Sequence, residues 1–461
     1  MTQLIERPST LESALKRSDF PAGFIWGTAT AAYQIEGAAA TDGRAPSIWD
    51  TFSKTPGKVK NGDTGDVACD HYHRYPADLE LMQRLGFSAY RFSISWSRVI
   101  PNGRGPVNAA GLEFYDRLLD AMLERGIKPF ATLYHWDLPQ TLEDAGGWLA
   151  RDTAFAFAEY ADVMTRALGD RLKNWATLNE PWCAAFLGYG IGIHAPGKTD
   201  FAASLQAAHH LLLAHGLAMP IIRQNVPHAH AGIVLNPAPV YPASPSSADG
   251  AAVYRADGFQ NRWYFDPIFN RGYPADTLEA YGDFAPTVSA GDMEIIAAPI
   301  DFIGVNYYSR NVVADASVTA DPAPEALLGY RPVRLEGVPR TFFDWEVYPQ
   351  GLTDFLERVQ REYNPASILI TENGASYLDQ VVDGKIDDPE RTAYFQNHLA
   401  ASLEAIKKGV KLDGYFAWSF LDNFEWAEGY EKRFGLTHVD FETQARTVKL
   451  SGQWFKAFLT A

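Results

Sequence analysis

Eight short runs of strand-forming, largely apolar residues recur along the chain, and they restrict its possible folds more than any other feature. They are FIWGTATAA from Phe24, AYRFSIS from Ala89, KPFATLYHW from Lys128, NWATLNE from Asn174, HAGIVLNP from His230, DFIGVNYY from Asp301, SILITEN from Ser367 and LDGYFAWSF from Leu412. Their length and their content of β-branched and aromatic residues predict eight β-strands.

Segments with helical periodicity separate these runs. The segments from Leu112 to Arg125 and from Thr153 to Leu168 repeat apolar residues at three- and four-residue steps, which is typical of amphipathic helices. Eight strand–helix units in one chain predict an α/β fold, a closed (β/α)8 TIM barrel and not an open doubly wound sheet. The GTAT that follows Trp26 does not fit the glycine-rich dinucleotide fingerprint.

The sequence gives no sign of a second domain. It has 461 residues without an internal repeat or a linker, and α/β barrels of such length often form one unit. We therefore expect a single barrel domain over residues 1–461. Two stretches, from Asn236 to Ala252 and from Asp315 to Arg340, look like long loops. Loops of this length are usually functional or mobile, so we expect long loops at the mouth of the active site.

Charge and cysteine content exclude several classes of protein. The net charge is -16 without a basic block, which argues against a nucleic-acid partner. Cys69 and Cys183 form no CxxC pair, so we expect two buried thiols in a reducing compartment. The first twenty residues carry charges throughout and do not resemble a signal peptide. Since no run of about 18 apolar residues occurs, we expect no membrane span and a cytoplasmic protein.

Polar side chains gather near the predicted carboxyl ends of the strands, where barrels of this type carry their active sites. They are Glu36, Arg91, His135, Asn179, Glu180, Asn306, Tyr308, Glu372 and Trp418. Glu180 and Glu372 follow apolar runs in which an unpaired carboxylate would be costly to bury. Two carboxyl groups are also what cleavage of a glycosidic bond requires. From this pattern alone, a catalytic pair and two solvated strand-end caps both remain open.

Seven motifs in a fixed order provide stronger information. They are FIWGTATAAYQIEG, RFSISWSR, YHWDLP, TLNEP, NYYSR, ITENG and AWSFLDNFEW. In these motifs, and along nearly its whole length, the chain resembles glycoside hydrolase family 1, the β-glucosidase family. The resemblance implies a retaining exo-β-glucosidase that acts on terminal, non-reducing glucosyl residues of cello-oligosaccharides and of aryl or alkyl β-glucosides. Side activity on galactosides or fucosides and transglycosylation are compatible with it.

The resemblance also implies roles for individual residues. Glu180 of TLNEP corresponds to the general acid/base and Glu372 of ITENG to the nucleophile, and retention requires their carboxyl groups to lie about 5–5.5 Å apart. Arg91 resembles the arginine beside the nucleophile and should favour ionised Glu372, with Tyr308 as a hydrogen-bond donor. Asn306 is expected to support them. Glu180 should be protonated in the resting enzyme.

The sugar-binding residues follow from the same resemblance. The glycone is expected to contact Gln34, His135, Asn179, Tyr308, Trp418, Glu425 and Trp426, with Trp418 as the stacking surface. Trp182 and Trp345 are expected on the aglycone side, and Trp136 is expected to pack. The only partner implied is a small-molecule β-glycoside. No cofactor and no metal are implied, and the oligomeric state stays open.

Three alternatives are less compatible with the sequence. A 6-phospho-β-glycosidase would need a phosphate site, but Glu425 would repel a phosphate, Phe434 has no hydroxyl, and Lys432 is interpreted as structural. A non-catalytic sugar-binding barrel would have lost the carboxyl pair. A metal-dependent barrel hydrolase would need ligands, but no HExxH motif occurs. We expect His71 and His73 to form structural hydrogen bonds.

Overall fold

The eight predicted strands form one closed parallel barrel. The computed structural model describes residues 15–317 and 324–461. Its barrel strands, in chain order, are β1 Ile25–Ala29, β2 Ala89–Ser93, β3 Lys128–Tyr134, β4 Asn174–Asn179, β5 His230–Leu235, β6 Phe302–Asn306, β7 Ile368–Asn373 and β8 Leu412–Trp418. Each strand pairs in parallel with its neighbours in the chain, and β8 pairs with β1. The prediction of a closed (β/α)8 barrel is confirmed.

Aromatic and small side chains fill the barrel interior together. Phe130 of β3 and Phe416 of β8 are not on neighbouring strands, yet their rings meet edge to face with centroids 5.0 Å apart. Alanines such as Ala89 and Ala176 belong to the same buried cluster. Gly27 of β1 is needed there, because a Cβ at this position would lie 2.2 Å from Phe416 Cδ1. The barrel is therefore a packed core whose strand ends are held in fixed positions.

Helices surround the barrel. The longer ones are His71–Arg84, Ala109–Glu124, Asp152–Leu168, Phe201–Asn225, Pro349–Tyr363, Pro389–Lys407 and Leu450–Thr460. Shorter α-helices are Ala32–Ile35, Ile48–Ser53, Trp96–Val99, Gln140–Asp144, Ser247–Asp257, Trp263–Ile268, Ala275–Tyr281, Asp292–Ile296 and Pro324–Leu328. Two π-helical segments, Cys183–Gly190 and Gly258–Arg262, lie after β4 and before Trp263. Both helices predicted from periodicity are present, and the first begins three residues earlier than predicted.

One helix is both long and apolar. By length and hydropathy alone Phe201–Asn225 could cross a membrane, and among the described residues no other helix meets that test. However, 78% of its apolar window is buried inside the protein. Its composition is therefore explained by packing against neighbours such as the helix Asp152–Leu168.

The two stretches predicted as long loops contain short elements of regular structure that were not predicted. Val240–Pro242, Asn311–Asp315 and Tyr330–Pro332 form a separate three-stranded sheet, and the helix Ser247–Asp257 overlaps the first stretch. Strands of three to five residues are too short for an alternating pattern to be recognised. Residues 318–323 of the second stretch lie outside the described part, as do residues 1–14 of the segment judged not to be a signal peptide.

The two cysteines are buried, and His71 and His73 form hydrogen bonds, as the sequence predicts. Cys69 and Cys183 are both free and buried, as predicted. His71 Nδ1 lies 2.8 Å from Asp78 Oδ2, and His73 Nδ1 lies 2.6 Å from Asp70 Oδ1. The hydrogen-bonding interpretation of both histidines is confirmed.

A buried ionic network connects the C-terminal helix to the segment that follows β8. Lys449 directly precedes the helix Leu450–Thr460 and is fully buried. Its Nζ lies 2.5 Å from Asp379 Oδ2 and 2.6 Å from Asp422 Oδ1. Arg391 pairs with Asp379 as well. The network fixes the start of the segment from Asp422 to Trp426, which carries two predicted sugar-binding residues.

We predict that Lys449→Met destabilises the protein by about 3–5 kcal/mol, because it removes the buried cation that bridges Asp379 and Asp422. Denaturant unfolding of both proteins measures this. Arg166→Met is the matched control, since Arg166 and Asp162 form an exposed pair and its loss should hardly change the midpoint. Equal effects of the two substitutions would contradict the assigned importance of the buried network.

Candidate active site

A cavity of about 790 Å³ opens at the carboxyl ends of the strands. Ten of the predicted site residues line it: His135, Glu180, Trp182, Asn306, Tyr308, Trp345, Glu372, Trp418, Glu425 and Trp426. Three more, Gln34, Arg91 and Asn179, are buried behind these and hydrogen-bond to them. The structure thus brings all thirteen together from segments remote in the sequence.

Glu36 is the exception among the strand-end residues. It does not line the cavity, and instead its carboxylate accepts hydrogen bonds from Arg98 Nε at 2.9 Å and from the Tyr115 hydroxyl at 2.7 Å. Glu36 comes after the short helix Ala32–Ile35 and not directly after a strand. Its position in the sequence therefore wrongly indicated a place at the strand ends. It is a structural residue.

Glu372 lies on β7 and is held at both oxygens. Arg91 Nη1 of β2 donates to Oε1 at 2.5 Å, and the Tyr308 hydroxyl donates to Oε2 at 2.7 Å. Both carboxylate and guanidinium are almost fully buried. Burial raises the pKa of Glu372, and the charge of Arg91 and the hydroxyl of Tyr308 oppose that rise. These two donors favour its ionised form.

Glu180 follows β4 with a φ of +47°, a left-handed conformation that non-glycine residues rarely adopt. Asn306 Nδ2 donates to its Oε1 at 2.5 Å and the Cys183 thiol to its Oε2 at 3.1 Å. Within residues 15–317 and 324–461 no cation contacts it directly. Burial, and then the negative charge of Glu372, raise the pKa of Glu180 to about 8. Because a guanidinium contacts Glu372 and no cation of the described residues contacts Glu180, Glu372 is the acid of the pair that ionises first.

Two asparagines connect the carboxyl groups. Asn179 Oδ1 accepts from Arg91 Nη2 at 2.6 Å and from Asn306 Nδ2 at 3.0 Å. Because Asn306 also donates to Glu180 and Arg91 also donates to Glu372, one continuous hydrogen-bonded chain runs between the two acids. Such a chain restricts both side chains to one orientation.

His135 at the end of β3 is neutral. Its Nε2 accepts from Asn179 Nδ2 at 3.0 Å, which assigns its proton to Nδ1. Burial and the nearby charge of Arg91 hold its pKa well below the usual range. Its ring is stacked near those of Trp418 and Trp426, at centroid distances of 6.0 and 5.9 Å. Nδ1 is therefore available as a donor to a ligand.

The segment after β8 supplies the remaining polar group at the base of the cavity. Gln34 Nε2 donates to the carbonyl oxygen of Phe424 at 2.9 Å and approaches Glu425 Oε2 at 3.5 Å. Burial, followed by the charges of Glu372 and Glu180, raises the pKa of Glu425. Trp426 has a φ of +51°. Strained conformations of this kind concentrate at functional sites.

Aromatic rings form much of the wider part of the cavity. Trp345 stacks on Phe343 with centroids 4.5 Å apart and an angle of 14°. Trp182 lies 5.1 Å from Phe186, which in turn contacts Phe259. The volume exceeds what one pyranose occupies, so this region can receive the second part of a glycoside.

Several residues that line the cavity were not predicted from the sequence. Trp136, expected to pack only, lines the cavity and lies 4.6 Å from the ring of Trp426. Cys183 was interpreted as a simple buried thiol, although its place three residues after Glu180 could have suggested contact. Asn236 and His194 line the cavity too and follow no recognised motif. Lys432, in contrast, donates to the carbonyl oxygen of Phe342 at 2.8 Å, which fits its structural interpretation.

Comparison with known proteins agrees with this geometry. The model of glycosyl hydrolase family 1 matches residues 16–461. Beta-glucosidase A of Thermotoga maritima is 48% identical over 438 residues, covering 95% of this chain and 96% of the relative. The beta-glucosidase of Agrobacterium sp. is 48% identical, with 95% of each chain covered. A bifunctional beta-D-glucosidase/beta-D-fucosidase of Bifidobacterium breve is 45% identical, with 95% and 98% covered.

Solved structures give the same result. The family 1 β-glucosidase from Thermotoga maritima in complex with isofagomine lactam superimposes with a TM-score of 0.91 at 47% identity, covering 96% of this chain and 98% of that one. The same enzyme has been solved in complex with deoxynojirimycin and superimposes with a TM-score of 0.92 at 47% identity, with the same coverage. This chain, a barrel with two carboxyl groups at its strand ends that is matched over nearly its full length, belongs to glycosyl hydrolase family 1.

Proposed function

We propose that this chain hydrolyses β-glucosides with retention, using Glu372 as nucleophile and Glu180 as general acid/base. The observation that supports these roles best is the unequal electrostatic surroundings of the two acids. Arg91 and Tyr308 both donate to Glu372, whereas the donors to Glu180 among the described residues, Asn306 and Cys183, are neutral. A double displacement needs one ionised and one protonated carboxyl group on the same sugar.

The reaction then proceeds in two steps. Glu372 attacks the anomeric carbon while Glu180 gives its proton to the leaving oxygen, which forms a covalent glycosyl-enzyme and releases the aglycone. The charge of Glu372 disappears in that bond. Because this charge contributes to the raised pKa of Glu180, its loss favours ionised Glu180, which next takes a proton from the attacking water.

We assign the sugar subsite to the polar and aromatic groups at the base of the cavity. In this assignment Glu425 accepts from two hydroxyls, His135 donates from Nδ1, and Trp418 stacks on the ring. Gln34 and Asn179 hydrogen-bond to Glu425 and His135 from directly behind the lining, and we assign them to the same subsite as sugar-binding residues. Trp182 and Trp345 belong to the aglycone side. A phosphorylated sugar is disfavoured, since the carboxylate of Glu425 would repel a phosphate and Phe434 offers no hydroxyl.

Substrate class and setting are part of the proposal. Small molecules, namely cello-oligosaccharides and aryl or alkyl glucosides, fit a cavity of about 790 Å³. One contiguous core cluster extends from Leu15 to Leu459, which supports a single domain. Two free, buried thiols are compatible with the cytoplasm.

Replacing the nucleophile tests the assignment directly. We predict that Glu372→Ala lowers kcat for an aryl β-glucoside at least about 10⁴-fold, and that azide restores turnover by forming the α-glucosyl azide. Product configuration is determined by NMR. Glu431→Ala serves as the control, because Glu431 is an exposed partner of Lys60 and should not affect turnover. A β-configured azide product would contradict the role given to Glu372.

The dependence of the reaction rate on the leaving group tests the acid role of Glu180. We predict that Glu180→Ala slows the glycosylation step of a dinitrophenyl glucoside much less than that of a phenyl or methyl glucoside. The reason is that a good leaving group needs little protonation, and a general acid typically contributes about 10²–10⁴-fold. Comparison of kcat/KM across a series of aryl glucosides measures it. Equal losses for all leaving groups would argue against an acid role.

The alkaline limb of the pH profile gives a separate test. Glu180 can donate only while protonated, so kcat/KM for a phenyl glucoside should fall as pH rises through about 8. The same plot for Glu180→Ala should lose this limb. A limb that persists unchanged in the variant would belong to another group.

A further inference from the structure

Cys183 is the one titratable side chain that the described part of the structure shows hydrogen-bonded to Glu180. It lies at the start of the π-helical segment Cys183–Gly190, lines the cavity and is 7% exposed. Its Sγ is 3.1 Å from Glu180 Oε2. The sulfur is thus within reach of the oxygen that Asn306 does not contact.

A second contact is compatible with donation from the thiol to Glu180. Asn236 Nδ2 donates to the sulfur at 3.3 Å, so the sulfur already serves there as an acceptor. Its own hydrogen is left to point at Glu180. The carboxyl group then receives one donor on each oxygen, an amide from Asn306 on Oε1 and a thiol from Cys183 on Oε2.

The thiol remains a donor at every working pH. Burial and the adjacent charge of Glu180 raise the pKa of Cys183 well above its ordinary value, so it does not ionise where the enzyme is active. The other titratable groups that act on this pair come from several elements, and they are Glu372, Arg91, Tyr308, Glu425 and Tyr264. None of these five hydrogen-bonds to Glu180 in the described residues, so Cys183 is the titratable neighbour whose removal changes its contacts directly.

We propose that Cys183 is a positioning residue that orients Glu180 through its S–H bond, stabilises the carboxylate left after proton donation, and so sets the alkaline edge of activity. This inference rests on the acid/base role proposed above. A thiol is a weak donor. Such a donor suits Glu180, which must stay protonated until it gives its proton to the leaving group. A stronger donor would favour the ionised form too early.

Two replacements of similar size separate hydrogen bonding from packing. Cys183→Val removes the donor and keeps the bulk, whereas Cys183→Ser keeps a donor. Loss of a donor to the ionised form raises the pKa of the acid, so the alkaline limb of kcat/KM for phenyl β-glucoside should move up by about 0.5–1 pH unit in Cys183→Val. In Cys183→Ser the limb should stay at or below its wild-type position.

Further variants keep the test decisive. Cys183→Ala, which introduces no overpacking, should repeat the upward shift even if the valine variant folds poorly. Cys69→Ser changes the other free cysteine, which donates to the carbonyl oxygen of Asp422 at 3.0 Å, and should leave the limb where it is. An unchanged or lowered limb in both apolar variants would overturn the proposal, as would an equal upward shift in Cys183→Ser.

The outcome is distinguishable from failure of the proposed function. If Glu180→Ala abolishes the alkaline limb while the Cys183 variants leave it in place, Glu180 keeps its role and only the inference about Cys183 is wrong. If the limb survives in Glu180→Ala itself, the acid/base assignment fails first.

Discussion

The buried ion pair between Arg91 and Glu372 is the interaction on which the active site depends. Three carboxyl groups, those of Glu180, Glu372 and Glu425, line one cavity, and Arg91 is placed directly against Glu372. Burying several like charges without a partner is strongly unfavourable. Because Arg91 compensates Glu372 in particular, the mechanism we propose keeps the proton of the pair on Glu180. The different roles that we propose for these two chemically identical side chains thus depend on the strand that carries the arginine.

Barrel closure makes this arrangement possible. Arg91, Glu180 and Glu372 lie on or directly after strands β2, β4 and β7, so no two of them are on adjacent strands, and their side chains meet only above the packed interior. The interior is filled by contacts such as that between Phe130 and Phe416, which leave the strand ends little freedom. The buried network around Lys449 does the same for the segment after β8. Rigid support of this kind is what keeps an active site pre-organised.

Much of this could be predicted from the sequence, for identifiable reasons. Strands buried on both faces leave near-continuous apolar runs, so all eight were recognised, and residues such as Glu180 and Glu372 at their ends followed. Side-chain contacts between segments that are remote in the sequence leave no such pattern. Nothing in the sequence indicates that Glu36 pairs with Arg98, that Gln34 lies behind Glu425, or that Trp136 turns into the cavity with a positive φ. The three-stranded sheet around Val240–Pro242 was missed because its strands are too short to show a period.

The central claim is that the carboxylate held by Arg91 forms the bond to sugar. The most direct measurement is to react the enzyme with an activated 2-deoxy-2-fluoro-β-glucoside, which slows hydrolysis of the glycosyl-enzyme, and to locate the label by mass spectrometry of proteolytic peptides. The account predicts one label per chain on the peptide that contains Glu372. A label on Glu180, or the absence of any covalent adduct during inactivation, would contradict it.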